Sequence, residues 1–273
     1  MTKKFGIIGN PIKHSLSPVL HNYWFNKYNI DASYSLIDIE ESDITKIIKK
    51  IKSKELNGIN ITLPYKQKIV PHIDILVNDA EVTSSVNTVY LNDQETVVGE
   101  NTDVYGLQAA YLKELDKTSK KNALVIGAGG VSPSVILSLQ KSGVTEICIT
   151  NRTREKCIFL KKKFNGLKII EWSNLKEEIK KFDIIINATS LGLKGGQNFE
   201  FDFENTKMNL VYIDTIYNPL ETKTLKYLKS RDIKVFNGLD MFIYQGQKSF
   251  YLWNKINPEI DQKLVELLLS KLK

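Results

Sequence analysis

Lys66 is the first residue whose setting calls for chemistry. It follows Asn60-Ile61-Thr62-Leu63-Pro64-Tyr65, where Asn60 and Thr62 alternate on a strand-like segment and so share one face. A lysine at such a strand end can take a proton from a hydroxyl if burial or nearby charge lowers its pKa. A carboxylate is offered by Asn101-Thr102-Asp103, at the start of a helical pattern. Beside the lysine, Asp103 can orient both the amine and a hydroxyl, while its charge opposes the shift that burial favours. Such a pair suits oxidation of a secondary alcohol, in which a base takes the hydroxyl proton as hydride leaves. Asn101 or Asp103 is equally suited to serve the helix N-terminus. Asn87 ends or interrupts another strand. Ser15 and Ser17 put two hydroxyls at a helix start, a setting that suits a carboxylate ligand. Ser17 also fits an N-cap, with Pro18 as the first helical residue. These polar residues share a placement at C-terminal strand ends, where α/β sheets bind ligands.

A hydride needs an acceptor, and Gly127-Ala128-Gly129-Gly130 offers a place for one. The run follows the apolar strand Ala123-Leu124-Val125-Ile126 and precedes a helical pattern. Its first glycine permits the tight turn, and its second lets the backbone approach a pyrophosphate at the helix N-terminus. Ser132 stands at the third small position. An NAD site usually has an acidic residue roughly 20 residues further on. Here the next strand, Glu146–Thr150, runs into Asn151-Arg152-Thr153-Arg154. Two guanidinium groups at that place fit a 2′-phosphate, so NADP is expected rather than NAD.

The elements that position these groups form two alternations. In the first half, strands are expected at 5–9, 33–38, 58–62, 86–91 and 96–99, with an Asn92-Asp93 turn between the last two. Helices are expected from Ser17, over Ile44 to Ile51, and over 102–115. After Asn122, apolar runs at 123–126, 147–149, 184–186 and 211–213 are separated mostly by helical patterns, as in a parallel α/β sheet. Amphipathic helices close the chain at 241–253 and 260–272.

Composition narrows the classes. With 42% hydrophobic and 25% charged residues in 273, the chain reads as folded and globular, of one large or two modest domains. No apolar run is long enough to span a membrane, and no apolar core follows the basic N-terminus as in a secretory signal. A cytoplasmic protein without a membrane partner is expected. Thirty-eight basic against 31 acidic residues leave a charge of +7. Most lysines fall on helix faces, so a small anionic substrate or phosphate-bearing cofactor is a better partner than nucleic acid. Cys148 and Cys157 imply no disulfide framework. His14 and His21 lack a third ligand, and no metal is expected.

Taken together, the motifs resemble the shikimate dehydrogenase family. Gly9-Asn10-Pro11-Ile12-Lys13-His14-Ser15-Leu16-Ser17-Pro18-Val19-Leu20-His21-Asn22 is similar to its opening signature. Asn60-Ile61-Thr62-Leu63-Pro64-Tyr65-Lys66, Val86-Asn87-Thr88 and Gly99-Glu100-Asn101-Thr102-Asp103 follow in the family's order. So do Asn151-Arg152-Thr153, Asn187-Ala188-Thr189-Ser190, Asp214-Thr215-Ile216-Tyr217-Asn218-Pro219 and Asn237-Gly238-Leu239-Asp240. The resemblance implies an α/β fold of two domains around a cleft. Residues 1–103 and 240–273 would form a discontinuous substrate domain, and 104–239 a Rossmann-type NADP domain with a parallel sheet. It implies reversible NADPH-dependent reduction of 3-dehydroshikimate to shikimate, with Lys66 and Asp103 as the acid–base pair. Ser15 and Ser17 would hold the carboxylate, and Asn60, Thr62, Asn87, Tyr217 and Gln245 would surround the ring. Gly127, Ala128, Gly129, Gly130, Val131, Asn151, Arg152, Thr153, Arg154, Lys156, Thr189, Ile216 and Gly238 would line the cofactor. A monomer or homodimer is expected. Relatives that prefer quinate or NAD, or that only bind ligand, are the alternatives. The chain departs from the family at Ser84-Ser85, where Gly-Ala is usual, at Val131-Ser132-Pro133-Ser134, and at Lys156, often an arginine.

Overall fold

The computed structural model describes residues 2–113, 115 and 122–272. It divides into two units, Met1–Gly106 with Ile243–Lys273, and Leu107–Phe242. The first unit opens with β1 (Lys3–Gly9), α1 (Ser17–Lys27), β2 (Ala32–Asp38), α2 (Ile44–Lys52) and β3 (Gly58–Ile61). It continues with β4 (Ile75–Leu76), α3 (Asp79–Thr83), β5 (Thr88–Leu91), β6 (Val97–Glu100) and α4 (Asp103–Leu107). Its sheet has the order β2-β1-β3-β5-β6-β4. β1 pairs parallel with β2 and β3, whereas β5 runs antiparallel to both β3 and β6. Asn92 makes the turn of that hairpin, its Oδ1 accepting from the Gln94 and Thr96 amides at 3.0 and 2.9 Å. Ile44, Ile47, Ile48 and Ile51 recur at helical spacing on α2 and are all buried, with Ile8, Ile59, Ile61 and Val89 of the sheet in the same core. The helix expected over 102–115 is shorter as an α-helix. It gives way to a π turn over Gln108–Leu112, and residue 114 lies outside the described residues.

Ser84 stands where the resemblance leads to glycine. It ends α3 in the left-handed region, φ 46°, where a side chain crowds the backbone. Glycine takes that conformation without strain, and part of the gain is offset by its greater freedom when unfolded. Ser84→Gly is therefore expected to stabilise the protein by about 0.5–1 kcal/mol, a rise of roughly 1–4 °C in Tm. Thermal unfolding checks this; an unchanged or lower Tm would show that the serine is accommodated without strain.

The second unit contains β7 (Asn122–Ile126), α5 (Ser132–Lys141), β8 (Glu146–Thr150), α6 (Arg154–Lys163), β9 (Lys168–Ile169), α7 (Leu175–Glu178), β10 (Ile184–Asn187), β11 (Val211–Asp214), α8 (Lys223–Lys229) and β12 (Lys234–Phe236). Its strands are all parallel in the order β12-β11-β10-β7-β8-β9. The four central strands are the apolar runs read from the sequence. The strands that sequence patterning did not mark, β4, β9 and β12, are sheet edges of two or three residues, too short to show an alternation.

The long α9 (Leu239–Asn254) begins in the second unit and ends in the first, and α10 (Gln262–Ser270) follows. This return is fastened to α1. Trp24 Nε1 donates to the Glu259 carbonyl at 3.0 Å, Tyr23 OH donates to Asp261 at 2.8 Å, and Lys27 pairs with Glu259 and Asp261. Aromatic rings fill the space between. His21 is fully buried, stacked on Tyr34 at 4.4 Å, with Trp24 edge-on at 5.7 Å and Trp253 at 5.2 Å.

That burial pushes the His21 imidazole from 6.5 down to about 3, and the Asn60 side chain nearby offsets only part of the shift. Between those values only the unfolded chain takes up the proton, so stability present above 6.5 is lost as pH falls. The loss reaches about 1.4 kcal/mol near pH 5.5. Replacing His21 with Phe removes this component. Urea unfolding of both proteins near pH 7.5 and near pH 5.5 should show the wild type losing about 1.4 kcal/mol more than the variant; equal losses would mean that His21 charges freely in the folded state.

Candidate active site

Sheet direction explains how the polar residues meet. Lys66 follows the end of β3, and Asp103 follows the end of β6. Between those strands lies β5, which is antiparallel to both, so its beginning sits beside their ends. Asn87 immediately precedes β5. It thus reaches the same edge as Lys66 and Asp103 from a strand start, not from the C-terminal strand end that the sequence reading gave it.

Lys66 Nζ lies 2.6 Å from Asp103 Oδ2. Asp103 Oδ1 accepts from Asn87 Nδ2 at 3.0 Å. The Asn87 Nδ2 also faces Thr102 Oγ1 at 2.9 Å and Gln245 Oε1 at 3.2 Å, while its Oδ1 accepts from the Thr102 amide at 2.8 Å. Lys66 keeps 13% of its side chain exposed, against 5% for Asp103, so the lysine is the more accessible member of the pair. Its segment is held rigidly. Tyr65 is buried and donates its hydroxyl to the Ile39 carbonyl at 2.8 Å, and the Val86 amide donates to the Lys66 carbonyl at 2.8 Å.

The sequence left open which residue serves the start of α4. The structure assigns that task to Asn101, whose Oδ1 accepts from the Asp103 and Val104 amides at 3.1 and 3.4 Å. Asp103 is thereby free to face Lys66. Asn101 is itself held, its Nδ2 donating to Thr83 Oγ1 at 3.1 Å and to the Ser85 carbonyl at 2.8 Å.

Asn60 is buried at the other end of this network. Its Oδ1 accepts from Tyr34 OH at 2.7 Å, and its Nδ2 donates to the Asn87 carbonyl at 3.0 Å, Thr88 Oγ1 at 3.1 Å and Ser249 Oγ at 3.0 Å. Thr62 lies just past the strand end, its methyl against Gly9. Ser15 and Ser17 are adjacent, their hydroxyl oxygens 3.1 Å apart. Ser17 is not a cap: it is the first residue of α1, and Leu16 holds the cap position without a side-chain bond. Ser15 Oγ instead takes the Ser17 amide at 3.3 Å. Lys66, Asp103, Asn87, Asn60 and Gln245 are thus joined in one hydrogen-bond network. Tyr217 belongs to the second unit, on the loop after β11, with its ring 4.7 Å from that of Phe242. Thr88, Thr102 and Ser249 complete the network and were not singled out from the sequence. The spacing of Ser249, four residues from Gln245 on one helix face, was the signal available.

In the second unit, the glycine run leaves β7 as expected. Gly127 has φ 112°, and a Cβ there would lie 2.8 Å from the Ala188 carbonyl oxygen, so no other residue fits without strain. A Cβ on Gly129 would meet nothing within 4 Å, which leaves the loop open to a ligand. Ser132 begins α5, and its Oγ accepts from the Gly129 amide at 3.0 Å; Pro133 is accommodated in the first turn. Asn151 Oδ1 accepts from the Ala128 amide at 3.2 Å and ties the loop to the end of β8. Gly130 and Val131 complete the loop, and Thr153 precedes α6. The two arginines are not equivalent. Arg154 Nε lies 2.6 Å from Glu171 Oε1, whereas Arg152 and Lys156 are exposed and form no ion pair among the described residues. Thr189 donates its hydroxyl to Asn187 Oδ1 at 2.7 Å, and the Ile216 carbonyl accepts from the Gly238 amide at 2.8 Å. A side chain at Gly238 would collide with the Thr215 carbonyl.

Comparison with known proteins finds family matches in both units. The shikimate dehydrogenase substrate binding domain matches residues 7–89, and the shikimate / quinate 5-dehydrogenase family matches residues 110–216. A shikimate dehydrogenase (NADP(+)) from Pelagibacter ubique is 44% identical over 98% of this chain and 99% of its own. The crystal structure of shikimate dehydrogenase from Aquifex aeolicus superposes with a TM-score of 0.88 at 35% identity, over 97% of this chain and 96% of that one. Another, from Thermus thermophilus in complex with NADP(H) and shikimate, gives a TM-score of 0.88 at 29% identity, over 99% and 100%.

Proposed function

The chain belongs to the shikimate dehydrogenase family, and on that premise we propose that it reduces 3-dehydroshikimate reversibly to shikimate with NADPH. It is an oxidoreductase of aromatic biosynthesis. The observation that carries the reading is the Lys66–Asp103 pair at 2.6 Å, with Asn87 on the other carboxylate oxygen.

The first unit takes the substrate. Ser15 and Ser17 donate their hydroxyls to its carboxylate, and Asn60, Thr62, Asn87 and Gln245 bind the ring hydroxyls. Lys66 Nζ gives a proton to the oxygen of the C3 carbonyl during reduction and takes it back from the hydroxyl in the reverse direction. Asp103 orients the amine and the hydroxyl. Asn87 fixes the rotation of that carboxylate, so the pair need not reorganise during the reaction.

NADP fits the second unit. The Gly129 edge is open, and the guanidinium of Arg152 has no acidic partner among the described residues, which matches a pyrophosphate and a 2′-phosphate respectively. When bound, the reduced form supplies the hydride. Val131, Thr153, Thr189, Ile216 and Gly238 line its remaining surface in this reading. No helix among the described residues is long and apolar enough to cross a membrane, and we place the enzyme in the cytoplasm as a monomer or homodimer.

The decisive experiment follows reduced-nicotinamide absorbance with shikimate or quinate, each paired with NADP or NAD. Activity with shikimate and NADP alone is the expected result. Activity shared with quinate or NAD would move the protein toward its broader relatives, and none in any of the four would leave a ligand-binding protein.

A further inference from the structure

Asp214 is a buried carboxylate to which the reaction gives no task. It ends β11 directly opposite Asn187, which ends the neighbouring strand β10. The side chain is inaccessible to solvent and has no cationic partner among the described residues. Three neutral donors surround it. The Ile216 amide and Asn187 Nδ2 approach Oδ1 at 3.0 and 3.1 Å, and Thr222 Oγ1 approaches Oδ2 at 3.0 Å. Burial raises its pKa to about 7 in spite of those donors. An uncompensated acid in such a place costs stability, so the packing alone does not account for it.

The Asn187 amide shows what the acid contributes. Its Nδ2 is shared between Asp214 Oδ1 and the Leu191 carbonyl at 3.0 Å. Its Oδ1 accepts from the Thr189 amide at 3.0 Å and from the Thr189 hydroxyl at 2.7 Å. The Thr189 amide can only donate and the Leu191 carbonyl can only accept, so these main-chain groups fix which way the Asn187 amide faces, and the Asp214 oxygen reinforces that orientation as a second acceptor for its NH2. An amide at position 214 would offer a weaker acceptor to both Asn187 and the Ile216 amide and so loosen that anchor. The same carboxylate holds the Ile216 amide, and the Ile216 carbonyl in turn receives Gly238.

We infer that Asp214 is a positioning residue for the nicotinamide cofactor: through its bonds to Asn187 Nδ2 and the Ile216 amide, one buried acid anchors the two loops that carry Thr189 and Ile216. This rests on the reading that the second unit binds NADP.

The test is NADPH binding by fluorescence titration without substrate, joined to steady-state kinetics. For Asp214→Asn, which keeps the volume, the NADPH Kd and the NADP KM are expected to rise about tenfold, the scale of one charge-assisted hydrogen bond. The shikimate KM at saturating NADP should stay within about twofold. Thr222→Val removes the Oδ2 donor without touching Asn187, and should lower Tm while leaving the NADPH Kd unchanged. If Asp214→Asn does not fold, Asn187→Ala interrupts the same relay and should weaken NADPH to a similar extent. An unchanged NADPH Kd in a folded variant overturns the inference. So does an equal rise in both KM values, which marks general damage. Failure of the wild type to bind NADPH would overturn the cofactor reading itself, and the inference with it.

Discussion

Replacing Lys66 with Ala is expected to lower kcat by about 10²–10⁴-fold, the scale for loss of a general acid–base group. Substrate binding should change far less, because Ser15, Ser17, Asn60 and Gln245 are untouched. The fold should survive, since the segment is anchored by Tyr65 and by the main-chain bond from Val86 rather than by the amine. What the variant loses locally is the partner of a carboxylate that is 5% exposed. Asp103 keeps the bond from Asn87 Nδ2, which limits the damage. The measurement is kcat and KM for shikimate together with Tm. Unchanged turnover in a folded variant would falsify the assignment of Lys66 to the mechanism, and a loss confined to KM would make it a binding residue only.

The second large effect concerns the cofactor. Arg152→Ala is expected to lower kcat/KM for NADP by about 10–100-fold, the range for a lost hydrogen-bonded contact with a charged group. The value for NAD, which has no 2′-phosphate, should stay within about threefold. Arg154→Ala should have a smaller effect on NADP, because its guanidinium is already engaged by Glu171. Lys156 stands exposed on the same helix start and lacks the fork that makes arginine selective for phosphate. Comparing the two arginine variants with both cofactors separates these roles. Equal losses for NADP and NAD in Arg152→Ala would mean that Arg152 does not read the 2′-phosphate.

Much of the molecule was legible because it is local. The apolar runs that became β7, β8, β10 and β11 are buried on both faces, and a continuous apolar run is their signature. Gly127 was identifiable because only glycine takes its backbone conformation next to the Ala188 carbonyl. The isoleucine spacing of α2 reported its buried face directly. Less was legible where a residue had two local options. Ser17 looked like a cap, but the helix starts one residue earlier and leaves its hydroxyl beside that of Ser15. Ser84 shows the reverse, a left-handed residue with no glycine to mark it.

Residue types and their order along the chain therefore determined the chemistry on offer: a lysine, an aspartate, paired serines, a glycine loop suited to a phosphate and arginines behind it. Which groups meet was decided only in three dimensions. Lys66 and Asp103 are 37 positions apart, and Asn60 and Ser249 are 189 apart. Their meeting depends on β5 lying antiparallel between β3 and β6, and on α9 returning to the first unit. Strand order and direction come from the summed burial of both sheet faces, to which no short motif has access. For the same reason Asn101 rather than Asp103 serves the start of α4: Thr83 and Ser85 hold its amide there, and the aspartate is left to the lysine.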